Sequence, residues 1–445
     1  MSNPKYPTAF LQRMQAQLGN GFDAFIETLN GSSPTSIRLN PYKKTAQFDA
    51  AAQVPWCTNG KYLAERPSFT FDPLFHAGTY YVQEAGSMYV EQAYMLANPE
   101  NKAVRVLDMC AAPGGKSTHL LSLMGSDSLL VSNEIVPNRN KILQENITKW
   151  GTANTVVTQN KPEDFNRLKN FFDIILIDAP CSGEGLFRKD KDAIGEWSED
   201  NVAMCSTRQK GILLHAYNAL KPGGYIIYST CTYEVVENDE NVQYAEGLGM
   251  QQIALPKVEA GIASTDKGLQ FYPHLVQSEG FYISLLQKNA EESYEQTGIN
   301  PRAMGLHTRH ADILAKYLQQ PDDFAVVEKG DMLIAMPKSI QRQIQVVSAA
   351  LNVRHSGILL GNFKGKDFLP AHDIAINIHV NQSIPAVELS KEDAITFLRS
   401  EPVKANTSAR GWCIARHESH NLGWLKVMDN RSNNYYPKEW RILKR

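Results

Sequence analysis

Between Val104 and Lys288, short apolar runs alternate with amphipathic ones, and this alternation constrains the fold more than any other feature of the chain. VRVLDMC, SLLVSNE, TVVTQN, DIILIDAP and GGYIIYSTC are nearly continuous apolar stretches, the pattern of strands buried on both faces. KSTHLLSLM, NRNKILQENITKWG and QKGILLHAYNAL carry apolar residues at helical spacing, and the second closes on Gly151. Strands and helices in this order predict an α/β core, Rossmann-like and doubly wound, with helices on both faces of a parallel sheet. FYPHLVQSEGFYISLLQK, two β-rich runs around Gln-Ser-Glu-Gly, predicts a closing hairpin.

A chain of 445 residues exceeds what one hydrophobic core usually supports, so flanking units are expected. FLQRMQAQLG and FDAFIETL read as helices, SIRLNP as a strand, and YYVQEAGSMYVEQAYML returns to helical spacing. These define an α+β unit over 1–92 ahead of the core over 93–290. KNAEESYEQTGINPR reads as a polar linker into a small α/β unit, so that 291–348 is a third unit and the β-rich 349–445 a fourth.

The 43% hydrophobic and 21% charged fractions are those of an ordinary globular protein, and no apolar run approaches the ~20 residues of a membrane span. The N-terminus has no signal-peptide layout, so a cytoplasmic protein with no membrane partner is expected. Six cysteines without a CxxC pair and eleven scattered histidines argue against a disulfide framework or a zinc ribbon; no metal is expected, and His307 and His310 read as surface residues. A net charge of −2 excludes a uniformly basic nucleic-acid coater. One local patch does stand out. Residues 410–445 hold eight Lys/Arg against three acids, interleaved with Trp412, Trp424, Tyr435, Tyr436 and Trp440. That mixture suits phosphate contact and base stacking, and equally suits a compact β-domain with solvated charges.

Ligands of doubly wound sheets bind beyond the carboxyl ends of the strands. The first strand ends in Cys110-Ala111-Ala112-Pro113-Gly114-Gly115-Lys116, whose small residues let a ligand approach the backbone at a helix start. Gly-Lys-Ser raises a phosphate-binding P-loop as a rival, but that loop needs glycine where Cys110 stands. Glu134, at the end of the second strand, is placed for ribose hydroxyls. A ribose-bearing, phosphate-poor cofactor follows, and S-adenosylmethionine fits. Asp178 and Cys181 end the fourth strand, and Cys231 ends a later one. A cysteine at a strand end is more often a small buried hydrophobe; the two together, with Asp178 and the loop, point to chemistry.

VLDMCAAPGGKS, NEIVPNR followed by ENITKWG, IDAPCSGEG and YSTCTYEVVENDEN resemble the Nop/Sun family of RNA cytosine-C5 methyltransferases, in the family's order and spacing. SIRLNPYK, YYVQEAGSM, HSGILLGNFKG and NNYYPKEWRI extend the resemblance to the bacterial 16S rRNA (ribosomal small-subunit) methyltransferase F group, including a C-terminal PUA-like RNA-binding region. The resemblance implies a class I S-adenosylmethionine-dependent fold. It implies Cys231 as the nucleophile that adds to carbon 6 of cytosine, Cys181 as its partner in release, Asp178 as a contact to the base, and Lys116 in the pocket. In DNA cytosine methyltransferases the Pro-Cys cysteine attacks instead. The family often carries an aspartate for the adenine amino group after the third strand; here Asn160 and Lys161 stand at that point, leaving Asn160 or Asp164 to make the contact. Cys110 is expected to contribute its backbone, Cys57, Cys205 and Cys413 to pack, and Arg188 and Lys189 either to grip RNA phosphates or to be solvated. The expected partner is 16S rRNA or the small ribosomal subunit, engaged by a monomer. A tRNA-directed methyltransferase and a non-catalytic RNA-binding assembly factor are the alternatives, the latter disfavoured by intact Cys231, Cys181, Asp178 and Gly114-Gly115.

Overall fold

The computed structural model describes residues 6–290, 299 and 310–444; His307 and most of the expected linker lie outside them. Helices α1 (Thr8–Leu18) and α2 (Phe22–Leu29) open the chain and bury Phe10, Met14, Phe25 and Leu29 completely. An antiparallel sheet follows, built from β1 (Thr35–Leu39), β2 (Ala52–Gln53), β3 (Gly60–Leu63) and β4 (Tyr80–Val82) in the order β2-β3-β1-β4. Between β3 and β4 lies α3 (Pro73–Ala77), whose first turn is capped by the Asp72 carboxylate. The run from Tyr80 is not helical throughout. Its aromatic and β-branched start pairs with Ile37–Leu39, and the helix α4 (Val90–Ala97) begins only later.

The core comprises β5 (Arg105–Asp108), α5 (Gly115–Leu123), β6 (Leu129–Asn133), α6 (Pro137–Trp150), β7 (Thr155–Thr158), β8 (Phe172–Asp178), α7 (Asp192–Glu196), α8 (Glu199–Ala219), β9 (Leu220–Thr230) and α9 (Asp239–Gly247). Strands β9-β8-β5-β6-β7 run parallel in that order, so the direction of winding reverses between β5 and β8. Alternation along each strand explains the two-sided cover. Leu107, Val131, Ile175 and Ile226 pack with Ile212, Leu213 and Ala216 of α8. Their neighbours Val106, Leu130, Ile174 and Ile227 pack with Leu120 of α5, Leu143 and Ile147 of α6, and Val90 of α4. After β10 (Met250–Ile253), β11 (Ala263–Ser264), β12 (Leu269–Phe271) and β13 (Phe281–Lys288) close one edge, β13 antiparallel to both β9 and β12.

The other edge is closed from far along the chain. Strands β14 (Phe324–Lys329), β15 (Met332–Pro337), β17 (Ile358–Lys364) and β18 (Asp367–Pro370) form a separate antiparallel sheet, while β16 (Val353–Ser356) leaves it to pair antiparallel with β7. The boundary expected at 348 therefore falls inside one structural unit, because β15 and β17 are hydrogen-bonded neighbours. A last sheet joins Ala386–Glu388, Gly411–His417, His420–Val427 and Ser432–Asn434. Among the described residues, no helix is long and apolar enough to cross a membrane.

Candidate active site

The loop from Met109 to Gly114 leaves β5 at the switch point and enters α5. Gly114, the residue before the helix, has φ of 113°, which a side chain rarely adopts, and a Cβ there would meet Asn146 and Leu143 at 3.3 Å. Beside this loop lies a cavity of about 200 Å³ lined by Asp108, Cys110, Ala111, Ala112, Pro113, Gly115, Lys116 and Asp178. The opposite wall comes from the N-terminal unit through Tyr81, Gln83, Glu84 and Ser87. Three carboxylates, Glu84, Asp108 and Asp178, face one cation, Lys116. Such a lining favours a positively charged ligand and repels phosphates, a second argument against a nucleotide triphosphate.

Asp108 is fully buried. Its Oδ2 accepts from Ser117 Oγ at 2.6 Å, and its Oδ1 has no hydrogen-bond partner among the described residues. Burial pushes this carboxyl up to about 7 against the pull of Ser117, with Asp178 adding to the rise. Lys116 Nζ sits 2.8 Å from Asp178 Oδ2, and Ser229 Oγ donates to Asp178 Oδ1 at 3.0 Å. Burial opposes the charge on Lys116, but Asp178 more than compensates and raises its pKa.

The two strand-end cysteines meet. Cys181 Sγ and Cys231 Sγ are 2.7 Å apart, and the Cys231 N–H donates to Cys181 Sγ at 3.2 Å. The hydrogen bond with Cys231, together with burial, raises the Cys181 thiol well above its ordinary value. Their loops are tied by groups that the sequence reading passed over. Gly185 N–H donates to the Cys231 carbonyl at 2.8 Å. Glu184 Oε2 accepts from Thr232 Oγ1 (3.1 Å) and Tyr233 N–H (3.2 Å), and Glu237 accepts from Ser182 N–H at 3.1 Å. Two acids embedded in Gly-rich or turn-like sequence, GEG and ENDEN, were the available signal.

Glu134 is buried at the end of β6; its Oε1 accepts from Val136 N–H at 2.8 Å and its Oε2 lies 3.4 Å from Arg139 Nη1. Asn160 is committed elsewhere. Its amide oxygen accepts from Asn352 N–H at 2.9 Å, and its amide nitrogen donates to Asp164 Oδ2 at 3.1 Å. Arg188 is no phosphate grip: it is buried and ion-paired to Glu279 at 3.0 Å, whereas Lys189 is exposed. In the C-terminal patch, Trp424 and Tyr436 are core, while Tyr435 is 38% exposed and Trp412 partly so. Cys57, Cys205 and Cys413 are buried.

Cys57, Glu91 and His119 come within 4.8 Å of one another in buried space, a grouping of possible metal ligands that spacing did not announce. They are already engaged with one another and with Thr58, although His119 Nδ1 is buried without a partner among the described residues. His119 Nε2 pairs with Glu91 Oε2 at 3.0 Å, and Glu91 Oε1 accepts from Thr58 N–H at 2.9 Å. A larger cavity of about 660 Å³ lies between Asp127, Asn154, Phe324 and Lys338 and shares no residue with the cysteine site.

Three family models match the chain: "16S rRNA methyltransferase RsmB/F" over residues 93–287, the N-terminal domain of 16S rRNA methyltransferase RsmF over 6–85, and the methyltransferase RsmF PUA domain over 384–442. Ribosomal RNA small subunit methyltransferase F of Aeromonas salmonicida (strain A449) is 30% identical over 475 residues, covering 98% of this chain and 97% of its own length. The chain belongs to this methyltransferase F family. The Nop/Sun resemblance, the Rossmann-like methyltransferase core and the C-terminal PUA-like region are thereby borne out. Among solved structures similar to this family member, a methyltransferase homolog protein from Pyrococcus horikoshii is 28% identical with a TM-score of 0.55, covering 64% of this chain and 95% of that one. NSun6 from the same organism, solved with SFG, shares the fold at 19% identity and a TM-score of 0.56, over 65% of this chain and 100% of its own.

Proposed function

We propose that this methyltransferase transfers a methyl group from S-adenosylmethionine to carbon 5 of a cytosine in 16S rRNA, with Cys231 as the covalent nucleophile. The observation that carries this reading is the pair of thiols 2.7 Å apart, beside Lys116 and Asp178, at the carboxyl edge of the sheet. The names of the family's relatives supply the RNA class. The acid-rich cavity with its unpaired Asp108 oxygen suits the cationic cofactor. In this reading the backbone of Cys110 to Lys116 holds the cofactor, Glu134 takes its ribose, and the hydrogen-bonded pair Asn160 and Asp164 lies at the strand end where its adenine amino group would be met. Bound there, S-adenosylmethionine supplies the methyl group.

The remaining work belongs to the chain. A cytosine ring is aromatic and its carbon 5 is a poor nucleophile. The Cys231 thiolate adds to carbon 6, breaking the aromaticity and leaving carbon 5 enamine-like. Lys116 favours that thiolate by its charge, and Asp178 hydrogen-bonds the base edge where charge develops. After methylation, loss of the carbon 5 proton to a base and cleavage of the carbon 6–sulfur bond restore the ring. Cys181 serves this elimination from its position beside the departing sulfur. The target base must leave its stack to reach the two sulfurs, and the PUA-like region offers the surrounding RNA a second grip.

The test is incubation with methyl-labelled S-adenosylmethionine and total RNA, followed by size fractionation and nucleoside analysis. Labelled 5-methylcytosine in 16S RNA is the expected product. Label in tRNA would move the substrate to the alternative class, and RNA binding with no transfer would make the protein an assembly factor.

A further inference from the structure

The helices that open the chain are seated on the two cysteine loops rather than on the flanking sheet. Phe10 packs at 5.1 Å against Phe187, six residues beyond Cys181, and Phe25 packs at 5.3 Å against Tyr233, two residues beyond Cys231. Phe10, Met14, Phe25 and Leu29 share one cluster with Phe187, Trp197, Tyr233 and Tyr272. At the centre of this contact, Arg13 of α1 reaches both loops. Its Nη2 pairs with Glu184 Oε1 from the Cys181 loop, and its Nε lies 3.0 Å from Glu234 Oε1 in the Cys231 loop. Its Nη1 faces the Tyr233 carbonyl at 3.4 Å, where Gln17 Nε2 also points.

Charge explains why the arginine matters. The Glu184 side chain is 0% exposed and that of Glu234 is 10% exposed, and each belongs to a different loop. Burial and the neighbouring Glu184 push the Glu234 carboxyl up to about 8 while Arg13 pulls it down, so losing the arginine would leave the two acids to separate or to share a proton without a cation between them. Glu184 also holds the two residues after Cys231, through Thr232 Oγ1 and Tyr233 N–H. Any force that separates Glu184 from Glu234 therefore moves Cys231 relative to Cys181.

We infer that Arg13 is a positioning residue: a clamp from the N-terminal helix that bridges Glu184 and Glu234 and so holds Cys181 and Cys231 in working register. It touches neither sulfur and acts through the two loops. The inference rests on the catalytic reading of the cysteines given above, but the register of the two sulfurs is measurable without turnover.

The full-length chain carries the test, as Arg13→Gln and Arg13→Lys. The first readout is the rate at which diamide converts the two thiols to an intramolecular 181–231 disulfide, mapped by peptide mass. Diamide takes up two electrons and two protons from the thiols. Arg13→Gln is expected to slow this closure by at least about tenfold, and Arg13→Lys, which keeps the charge but not the fork, to recover part of it. The second readout is kcat for methyl transfer, expected to fall by about tenfold or more while the affinity for S-adenosylmethionine and the KM for RNA change less than about twofold. A purely structural loss would lower the unfolding midpoint without this split. Disulfide closure and kcat both within threefold of the parent would overturn the clamp. If the parent chain itself transfers no methyl group, the catalytic reading fails, and the disulfide rate still decides the clamp. Should Arg13→Gln not accumulate as folded protein, Arg13→Lys against the parent decides it by the same two readouts.

Discussion

Gly185 tests how tightly the Cys231 loop must be held. A Cβ built there would lie 2.4 Å from the Gly280 carbonyl oxygen, 2.8 Å from the Cys231 carbonyl oxygen and 2.9 Å from the Gly280 carbonyl carbon. All three are backbone atoms, so no side chain can swing away. Restoring an ordinary contact of ~3.4 Å at the nearest atom requires a movement of about 1 Å, shared between the segments around Gly280 and Cys231. Gly185 N–H also donates to the Cys231 carbonyl, so the displaced group belongs to the residue proposed as nucleophile. Overpacking of this kind costs ~1–3 kcal/mol, and a 1 Å misplacement near the reacting atoms can cost about 100-fold in rate. Gly185→Ala is therefore expected to lower kcat by about two orders of magnitude while lowering the unfolding free energy from urea titration by only ~1–3 kcal/mol. Gly195→Ala is the control: it lies in α7 with nothing within 4 Å of the added Cβ, and it should be neutral or stabilising by a few tenths of a kcal/mol up to about 1. Methyl-transfer kinetics and urea unfolding of the two variants decide the matter. A Gly185→Ala enzyme with kcat within about threefold of the parent would refute the claim that this contact sets the position of Cys231.

Removal of Cys181 should trap what removal of Cys231 prevents: Cys181→Ala is expected to leave a denaturant-resistant protein–RNA adduct on gels and Cys231→Ala none, and the reverse pattern would exchange their roles. Arg188 and Glu279 form an ion pair with side chains 6% and 2% exposed, so Arg188→Met should cost ~3–5 kcal/mol by urea unfolding. The double variant Arg188→Met with Glu279→Met should recover most of that, since no charge is then left buried. If the cavity at Asp108 holds S-adenosylmethionine as proposed, the carboxyl pushed up to about 7 by burial gives that binding a defined pH dependence. A cationic ligand favours the carboxylate and so expels a proton below that pH. Affinity by calorimetry should rise by at most about tenfold per pH unit up to about 7 and then level off, and Asp108→Asn should flatten the slope.

The chemistry was more legible than the assembly, for a physical reason. Strand ends, a Gly-rich turn and the residues just beyond them are local features, and the parallel sheet brings such ends together whatever the rest of the chain does. Cys110, Lys116, Asp178, Cys181 and Cys231 could therefore be placed at one edge from pattern alone. Pairings across long stretches leave no such trace. Nothing in VRHS shows that residues 353–356 desert their own neighbours to extend the sheet beside β7, or that Asn352 takes up the amide oxygen of Asn160. Charged residues mislead in the same way. Arg188 reads as a surface cation in LFRKD, and only the approach of Glu279, just ahead of β13, offsets the cost of its burial. The aromatic tail divides along the same line: Trp424 and Tyr436 fill a β-domain, and the basic-plus-aromatic pattern that suggested RNA contact survives only at half-exposed positions such as Trp412 and Tyr435.

The flanking units are therefore parts of the site rather than additions to it. The core alone supplies the glycine-rich loop and both sulfurs, yet one wall of the cavity beside that loop is Tyr81, Gln83 and Glu84 from the N-terminal unit. The loops that carry the cysteines present Phe187 (0% exposed), Trp197 (8%) and Tyr233 (1%), and the β12–β13 connection presents Tyr272 (6%), to helices α1 and α2. Without those helices, four large aromatic side chains would meet water at a cost of ~1.5–3 kcal/mol each, and the carboxylates of Glu184 and Glu234 would lose their shared cation. At the opposite edge, β16 satisfies the hydrogen-bonding groups of β7 next to the strand end where Asn160 and Asp164 sit. A doubly wound sheet needs neither contact to fold as a sheet. Its carboxyl edge draws on both: Arg13 of α1 neutralises the Glu184 that ties the two cysteine loops, and Asn352 beside β16 holds Asn160 at the end of β7.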